Sequence, residues 1–487
     1  MATFDSVSPA RPAEVVATLP VHTAAEVDAA VAAAADAQRA WARVPVPARA
    51  ERIGACAAAL AGRKHELARL VSWEAGKVLV EAGGDVQEAV DMAGFVAGQG
   101  RAAWGETVPS ELASKLAWTS RQPIGVVGLI TPWNFPVAIP AWKVFPALLA
   151  GNGVVIKPSE LAPRCCEVFV ETCIDAGIPA ELLQVVHGGA EPGEALAVHG
   201  AVGAVSFTGS VATGRRVAVA AMERGPRTVS LELGGKNAMI VRADADLDLV
   251  IDGAIFGAFG TAGQRCTSTS RLVVEPSVVD ELVGRIVDRA GRLRLGDPLD
   301  PATDVGPLIT AQAAERVAAA IDAAVAEGAR VACGGKLRRD VPHCGGGSFV
   351  EPTVLTGVKP EARAAKEELF GPVLAVLEAT DLDEAVGIVN GVEFGLSAAV
   401  YTRDINEALR AVETIDAGIV YVNAPTIGAE IGLPFGGTKH TGNGFREAGT
   451  HGIRQFSQVK SVYVDYSQRL QRAQIDNRPP VPGETGA

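Results

Sequence analysis

The hydrophobic positions of this chain change their spacing after about one hundred residues. Residues 24–42, 47–71 and 83–102 carry apolar side chains at helical intervals, which predicts a series of helices. Farther along, short apolar runs alternate with helical segments, and the predicted strands are 125–130, 153–157, 183–187, 203–207 and 228–232. Strands that alternate with helices in this way are typical of a doubly wound parallel sheet.

The same alternation begins again after Gly234. The predicted strands of this second part are 237–241, 271–275, 372–377, 397–402 and 418–422. A chain of 487 residues is too long for one small core, so several domains are expected. The pattern therefore predicts a second α/β domain.

One apolar stretch superficially resembles a membrane span. Between Gln122 and Ile156 the only charged side chain is Lys143. Five prolines and a Gly-Asn-Gly turn interrupt the stretch, so it reads as strand, loop, short helix and strand. We expect it to form the buried centre of a parallel sheet.

Two segments fit neither predicted domain. Residues 112–121 are polar and extended, and residues 461–466 near the C-terminus alternate strongly between apolar and polar. Free strand edges of this kind invite pairing with another chain, although a local hairpin is the alternative. The Pro- and Gly-rich residues 477–487 are expected to pack poorly.

Composition excludes some partners. The net charge is −12, which argues against nucleic acid or an anionic membrane as the main partner. An odd number of cysteines and the lack of a basic and apolar leader over residues 1–20 favour the cytoplasm. Cys165 and Cys166 are adjacent, without the spacing of metal ligands, and no metal is expected.

Two short motifs carry the most chemistry. Glu232 lies in Leu-Glu-Leu-Gly-Gly-Lys-Asn, and Cys266 follows 34 residues later (266 − 232) in Gly-Gln-Arg-Cys-Thr. A cysteine nucleophile and a separate carboxylate base are what aldehyde oxidation through a thioester requires. Singly, each has a plainer explanation, because a lone cysteine is usually a buried apolar residue and the glutamate could be an ordinary turn acid.

Other segments support the same chemistry. Asn134 lies in Thr-Pro-Trp-Asn-Phe-Pro, a rigid loop that can hold an amide donor for an oxyanion. Lys157 ends an apolar strand, where charged groups point into the nucleotide crevice of α/β sheets. A third strand leads into Gly209 and Gly214, a glycine pair that alone is a weak signal because it lacks the usual dinucleotide-binding spacing.

These motifs, together with Glu-Glu-Leu-Phe-Gly-Pro at 367–372 and Leu-Pro-Phe-Gly-Gly at 433–437, occur in a characteristic order. In this respect the chain resembles the NAD(P)-dependent aldehyde dehydrogenase superfamily over about residues 20–466. The resemblance implies an α/β fold with a Rossmann-type cofactor domain, a second α/β catalytic domain and a small β oligomerisation flap. It also implies a homo-oligomer, either a dimer or a tetramer.

The resemblance also implies domain limits. The NAD-binding domain would comprise 1–104 and 124–233, and the catalytic domain 234–440. The oligomerisation strands would be 105–123 and 456–466, followed by a tail at 467–487.

Catalytic and cofactor residues follow from the same resemblance. Cys266 would attack the aldehyde, Asn134 would stabilise the oxyanion, and Glu232 would activate water. The residues implied for cofactor binding are Thr131, Pro132, Trp133, Lys157, Ser159, Glu160, Gly209, Ser210, Gly214, Leu233, Gly234, Glu368 and Phe370. A carboxylate at Glu160 suits the ribose hydroxyls of NAD and repels a 2′-phosphate, so NAD is favoured over NADP.

The substrate residues implied are Arg265, Thr267, Gly428 and Ala429. Around them the chain is similar to α-ketoglutaric and α-aminoadipic semialdehyde dehydrogenases, which act on carboxylated aldehydes. Ile427 replaces a small polar residue of the aminoadipic branch, which favours a keto-semialdehyde. Arg265 could instead be structural and paired with an acid such as Glu430, in an enzyme for a broad range of aldehydes.

Three alternatives concern the reaction itself. Transfer of the acyl group to coenzyme A is disfavoured because Glu232 would hydrolyse the thioester, and Lys236 as the base is disfavoured because it is expected to be a solvated charge. A cysteine hydrolase would need a histidine motif, which is not found among the seven histidines. A non-catalytic structural descendant would be expected to lose Cys266, Glu232 or Asn134, and all three are present.

Overall fold

The computed structural model describes residues 2–102, 104–225 and 227–475, and the chain begins with a hairpin and a layer of helices. These elements are β1 (Thr3–Val7), β2 (Val15–Pro20), α1 (Ala24–Trp41), α2 (Val46–Gly62), α3 (Lys64–Ala75) and α4 (Leu79–Gly98). Thr23 and Glu26 cap α1 reciprocally, each side chain accepting the backbone N–H of the other residue. The segment 47–71, predicted as one helix, is divided because Gly62 ends α2 and α3 begins at Lys64.

The first parallel sheet follows a pair of extended segments. The elements here are β3 (Thr107–Val108), β4 (Lys115–Pro123), β5 (Val126–Thr131), α5 (Ala138–Ala150), β6 (Gly153–Pro158), α6 (Pro163–Asp175), β7 (Leu183–Val185), α7 (Ala190–Val198), β8 (Val202–Thr208), α8 (Val211–Glu223) and β9 (Thr228–Glu232). The strand order is β7-β6-β5-β8-β9, and all neighbours are parallel.

Both faces of this sheet are buried. Along β5, Val127 and Leu129 pack into one apolar cluster, whereas Val126 and Ile130 pack into another on the opposite face. All residues of β5, α5 and β6 are buried. The apolar stretch between residues 122 and 156 is therefore the sheet centre that the sequence predicts.

A second sheet holds the rest of the chain. Its elements and their neighbours are β10 (Asn237–Val241), α9 (Leu247–Phe259), β11 (Thr269–Val274), α10 (Pro276–Ala290), α11 (Ala311–Ala326), β12 (Arg330–Cys333), β13 (Leu337–Arg338), β14 (Phe349–Val350), β15 (Thr353–Thr356), α12 (Arg363–Lys366), β16 (Val373–Glu378), α13 (Leu382–Asn390), β17 (Phe394–Gly395), β18 (Ser397–Tyr401), α14 (Ile405–Thr414), β19 (Ile419–Val422), β20 (Thr438–Lys439), α15 (Gly449–Gln455) and β21 (Ser457–Asp465). The order is β12-β15-β16-β11-β10-β18-β19, parallel except for β12 at one edge.

The segments predicted as oligomerisation strands are neighbours in one chain. β21 pairs antiparallel with β4 over its whole length, from Ser457 opposite Pro123 to Asp465 opposite Lys115. β3 covers part of the other edge of β4, which leaves β21 at the edge of this small sheet. The outer strand is largely exposed, as the side chain of Tyr463 illustrates.

The domain limits implied by the resemblance stay predictions. Of the predicted tail, residues 476–487 lie outside the described residues. Among the residues described, no helix combines the length and apolar character that crossing a bilayer requires.

Candidate active site

A cleft of about 1060 Å³ opens at the carboxyl ends of β5, β6 and β8. β5 lies between β6 and β8, so the strand order reverses its direction at β5. Open α/β sheets bind nucleotides in the crevice at such a point. The predicted cofactor residues that line the cleft are Thr131, Pro132, Trp133, Lys157, Ser159, Glu160, Gly209 and Ser210.

Lys157 and Glu160 lie on one wall of this cleft. Lys157 is buried, donates from Nζ to the carbonyl oxygen of Gly188 (2.9 Å) and lies 3.7 Å from the carboxylate of Glu160. Burial lowers the pKa of the Lys157 ammonium. The opposite wall includes the first turn of α8, where Ser210 caps the helix and free backbone N–H groups are suited to phosphate.

The other predicted cofactor residues lie outside the lining of this cleft. Gly214 packs against Leu233, since a Cβ at Gly214 would stand 2.5 Å from Cδ2 of Leu233. Gly234 lies against Glu368, whose Oε1 accepts the N–H of Gly235 (3.0 Å). Burial raises the pKa of Glu368 to about 7, and its side chain lines a second cavity of about 620 Å³.

Phe370 connects the second sheet to the cleft. It has a left-handed backbone with φ of 55°, and its ring meets that of Trp133 edge to face at 5.7 Å between centroids. Because Trp133 lines the cleft, Phe370 supports the cleft wall from behind.

Cys266 lies in a tightly held loop between α9 and β11. Asn134 donates from Nδ2 to the carbonyl oxygen of Gln264 (3.0 Å), so the two predicted loops are in direct contact. Asn237 donates from Nδ2 to the carbonyl oxygens of Cys266 (2.8 Å) and Ser268 (2.9 Å). Asn237 was not among the predicted site residues, although it belongs to the Glu232 motif.

The Cys266 thiol is partly accessible yet surrounded by carboxylates. Burial raises its pKa, and the charges of Glu368, Glu232 and Glu447 raise it further. Burial and these charges therefore disfavour the thiolate form of Cys266.

Glu232 ends β9 and is buried. Burial raises its pKa well above the usual range, and the neighbouring charge of Glu447 raises it further. Its Oε1 accepts no hydrogen bond within the described part of the chain. A buried, unbonded carboxyl oxygen at this place is available to a small polar molecule such as water.

Two charged residues beside Glu232 were missed by sequence reasoning. Lys143 on α5 forms an ion pair with Glu447 and donates to Oγ of Ser206 (2.7 Å), and both charged side chains are buried. The sequence did contain a sign of the special role of Lys143, because it is the only charged residue in a long apolar stretch. No sequence pattern connects Glu447 with Glu232, since it lies 215 residues farther along the chain (447 − 232).

Lys236 corrects one expectation. A solvated charge was expected at Lys236, but the exposed fraction of this residue is 3%. Burial lowers the pKa of Lys236 to about 7. Two glycines before a lysine do not make it exposed, because this turn passes between the two sheets.

Arg265 is held by an acid, although not the predicted one. It donates from Nε to Oγ1 of Thr261 (2.9 Å), and its Nη2 lies 3.6 Å from the carboxylate of Glu81. The acid that pairs with Arg265 is therefore Glu81, where Glu430 was expected. Glu81 belongs to α4, far away in sequence, which is why local patterns do not reveal it. No partner is found for Nη1 of Arg265 among the described residues, so one donor edge is available.

The other predicted substrate residues follow β19 or the nucleophile. Thr267 is buried, and its carbonyl oxygen accepts the hydroxyl of Thr426 (2.7 Å). Gly428 has φ of +104°, a backbone that favours glycine, and Ala429 packs against the core of the first sheet. Ile427 is buried. No group of three metal-ligating side chains occurs in the described ranges.

Comparison with known proteins gives a consistent result. The model of the aldehyde dehydrogenase family matches residues 1–462. An alpha-ketoglutarate semialdehyde dehydrogenase of Haloferax volcanii is 40% identical over 468 residues, which are 95% of this chain and 96% of the relative. A betaine aldehyde dehydrogenase of Cereibacter sphaeroides is 41% identical over 452 residues, which are 93% of this chain and 92% of the relative.

Solved structures agree in fold. PnpE of Pseudomonas sp. WBC-3, in complex with nicotinamide adenine dinucleotide, superposes with a TM-score of 0.93 at 37% identity. The match covers 96% of this chain and 95% of that one.

Proposed function

The chain belongs to the aldehyde dehydrogenase family, and we propose that it oxidises a carboxylated semialdehyde to the acid through a thioester on Cys266. The predicted resemblance, α/β fold, oxidoreductase class and NAD cofactor are confirmed by the family match and the NAD complex of a close structural relative. The proposal adds the aldehyde and the role of each residue.

One observation supports the mechanism above all others. The loops of Cys266 and Asn134, which come from different sheets, are joined by the hydrogen bond from Asn134 to Gln264. Glu232 is close enough for its charge to raise the pKa of Cys266. These two observations support the assignment of a nucleophile, an amide donor and a carboxylate to one reaction.

The first step is attack on the aldehyde. Cys266 loses its proton to a nearby carboxylate, and its sulfur bonds to the carbonyl carbon. The oxygen then carries a negative charge and accepts hydrogen bonds from the second N–H of Asn134 and from the backbone N–H of Cys266. Losing one such donor typically costs about 3 to 4 kcal/mol of barrier.

The cleft suits a dinucleotide. Its volume, the buried Lys157 beside Glu160 and the capped start of α8 fit a ribose and a pyrophosphate. NAD, when bound there, would supply the acceptor for the hydride of the tetrahedral adduct on Cys266. Glu160 disfavours a 2′-phosphate, which supports NAD over NADP.

Hydrolysis completes the reaction. Glu232 removes a proton from water, which attacks the thioester carbon and releases Cys266 as the thiolate and the product as a free acid. Glu447, Lys143 and Ser206 form a buried polar series, and the charges of Glu447 and Lys143 act on the carboxyl group of Glu232. A carboxylate placed to activate water supports hydrolysis rather than transfer to coenzyme A.

The substrate class follows from charge. Arg265 is one residue from the nucleophile and keeps a donor edge for a carboxylate. Backbone N–H groups in a glycine-containing loop such as that at Gly428 and Ala429 are also suited to a carboxylate. α-Ketoglutaric semialdehyde fits this arrangement, and the relative from Haloferax volcanii carries that name.

A second candidate is α-aminoadipic semialdehyde. Glu88 on α4 is partly exposed, and its charge interacts with that of Arg265. The charges of Glu88 and Arg265 complement the ammonium and the carboxylate of an amino acid. Burial and the charge of Asp85 raise the pKa of Glu88 to about 7, so it would bind an ammonium better in the alkaline range.

Betaine aldehyde is less well supported, despite the 41% identity. A trimethylammonium group needs free aromatic faces, but Lys77 lies 3.4 Å from the Phe135 ring centroid and Arg265 lies 5.4 Å from it. These cations repel a quaternary ammonium at the same ring.

The test is the initial rate with NAD on α-ketoglutaric, α-aminoadipic, glutamic and succinic semialdehydes, betaine aldehyde, propanal and hexanal. We expect carboxylated aldehydes to win by about tenfold or more in kcat/KM, about 1.4 kcal/mol. Arg265→Gln should remove this preference, whereas Arg242→Gln, at an arginine that pairs with Glu275 and Glu407, should keep it. Equal rates for hexanal would contradict the substrate class.

Assembly and location are further parts of the proposal. The edge strands β21 and β19 carry unpaired backbone groups and exposed side chains such as Val422, which supports a homo-oligomer built by strand addition. All seven cysteines are free thiols. This supports a reducing compartment such as the cytoplasm.

A further inference from the structure

Two carboxylates on α4 reach the two loops that carry the proposed catalytic groups. Glu81 and Asp85 are four residues apart and therefore lie on the same face of the helix. We propose that they are positioning residues, which set the Cys266 loop and the Asn134 loop against each other. The inference rests on the proposed function of those two loops.

Glu81 holds the Cys266 loop at its most constrained point. Its carboxylate accepts the N–H of Thr261 at 2.8 and 2.9 Å and the Thr261 hydroxyl at 3.2 Å. Thr261 and Ala262 both have left-handed backbones, with φ of 53° and 52°. Non-glycine residues keep such a conformation only where surrounding contacts fix it, and Glu81 supplies such contacts to Thr261.

Glu81 also orients Arg265, which is attached to the same loop. Nη2 of Arg265 lies 3.6 Å from the Glu81 carboxylate. Gly260 is part of this arrangement, because a Cβ there would stand 3.0 Å from Oε1 of Glu81. One carboxylate thus fixes both the backbone before Cys266 and the cation beside it.

Asp85 holds the Asn134 loop. Its Oδ1 accepts the N–H of Ala138 at the start of α5 (2.7 Å), and its Oδ2 pairs with Nζ of Lys77 (2.9 Å). Both charged side chains are fully buried. Lys77 in turn lies over the ring of Phe135, the residue after Asn134. Asp85 therefore fixes the segment after Asn134 through its backbone and through a ring.

One helix, α4, therefore sets the distance between the Asn134 loop and the Cys266 loop. Asn134 and Gln264 are separated by 130 residues and belong to different sheets, yet α4 contacts both of their loops. A helix is stiff over one turn, so the two anchors cannot move independently. Small displacements of a donor from a reacting atom cost large factors in rate. Neither carboxylate needs to touch the substrate for this role.

Two double variants distinguish the hydrogen bond that Asp85 accepts from Ala138 from the ion pair that Asp85 forms with Lys77. Lys77→Met with Asp85→Asn removes both charges and keeps an oxygen for the Ala138 N–H. Lys77→Met with Asp85→Leu removes the oxygen as well. With hexanal as substrate, the first pair should keep kcat within about threefold, and the second should lower it about tenfold or more at an unchanged KM for NAD.

The same logic applies to Glu81. Glu81→Gln keeps an acceptor for Thr261, whereas Glu81→Ala does not, so the alanine variant should lose about tenfold in kcat and the glutamine variant about threefold at most. Alkylation of Cys266 by iodoacetamide should be faster in Glu81→Ala because the loop is loosened. Asp91→Asn, on the solvent side of α4, is the matched control.

Two results would overturn the inference. One is a folded Lys77→Met/Asp85→Leu variant with normal kcat, and the other is Glu81→Ala with normal kcat and normal alkylation. If the leucine pair does not fold, the Glu81 result decides. Cys266→Ser is measured in parallel: activity in that variant contradicts the proposed function, whereas an inactive Cys266→Ser beside fully active α4 variants contradicts only the positioning role.

Discussion

The cofactor cleft and the reacting centre differ in how they hold charge. In the cleft, Lys157 is buried but borders an open space, and the side chain of its partner Glu160 is half exposed. At the centre, Glu232, Glu447 and Lys143 are almost completely removed from solvent. The cleft can bind by shape and hydrogen bonds, whereas burial at the centre raises the pKa of Glu232 and disfavours its charged form.

This difference predicts where substitutions matter. Charges in water interact weakly, and exposed pairs contribute about 0 to 1 kcal/mol. Buried charges lose their hydration, so removing one partner of a buried pair costs about 3 to 5 kcal/mol. Variants of the centre should therefore change rate and stability strongly, and variants of the cleft should change selectivity by small factors.

The largest effect is expected at Lys143. Lys143→Met leaves Glu447 buried without its cation, which should lower the free energy of unfolding by about 3 to 5 kcal/mol. It also removes a charge that lowers the pKa of Glu232. The pKa of Glu232 should rise, so activity should need a higher pH. Thermal melting and the pH dependence of kcat check both parts.

A double variant controls for this interpretation. Lys143→Met with Glu447→Gln removes the cation and the neighbouring carboxylate together, so the buried site is neutral. Stability should return to within about 1 kcal/mol of the wild type. If Lys143→Met alone is as stable as the wild type, the centre does not hold charge as described.

An intermediate effect is expected at Glu368. Its charge is among the causes that raise the pKa of Cys266. Glu368→Gln should lower this pKa, so iodoacetamide should alkylate Cys266 faster at a fixed pH near 8, by up to about tenfold for one pKa unit. Rates measured across pH without cofactor give the shift directly.

The matched control is the preceding residue. Glu367 is exposed and paired with Arg363. Glu367→Gln should leave the alkylation profile unchanged. Identical profiles for Glu368→Gln and the wild type would mean that the carboxylate does not influence the thiol.

The smallest effect is expected in the cleft. Glu160→Gln removes the charge that disfavours a 2′-phosphate, so the ratio of kcat/KM for NAD over NADP should fall about fivefold, near 1 kcal/mol. Glu194→Gln, at another part of the cleft lining, should not change the ratio. A fall of a hundredfold or more at Glu160 would show that the cleft discriminates as strongly as the centre.

The cleft was also the part most accessible to sequence reasoning. Lys157 lies near the end of one buried strand and Gly209 follows directly after another, and the ends of parallel strands meet at one edge of a sheet. Strand and helix limits agree to within a few residues for the same reason, because apolar spacing reflects burial on both faces of the sheet. The divided helix at 47–71 is an exception, caused by Gly62.

The centre was accessible only in part. Cys266, Glu232 and Asn134 stand in recognisable motifs, but their partners come from distant elements. Glu81 reaches the Cys266 loop from α4, and Glu447 reaches Glu232 from the segment before α15. Such contacts depend on how helices and sheets pack against one another, and the spacing of residues within one segment does not predict that packing. The burial of Lys236 escaped prediction for the same reason.

The most direct test of the account is the burst of reduced-nicotinamide absorbance with Glu232→Gln and a carboxylated semialdehyde. The glutamine cannot deprotonate water, so one equivalent of reduced cofactor per active site should form, followed by little turnover, while the acyl group stays on Cys266. Steady turnover at the wild-type rate, without an acyl group on Cys266, would contradict a thioester hydrolysed by Glu232.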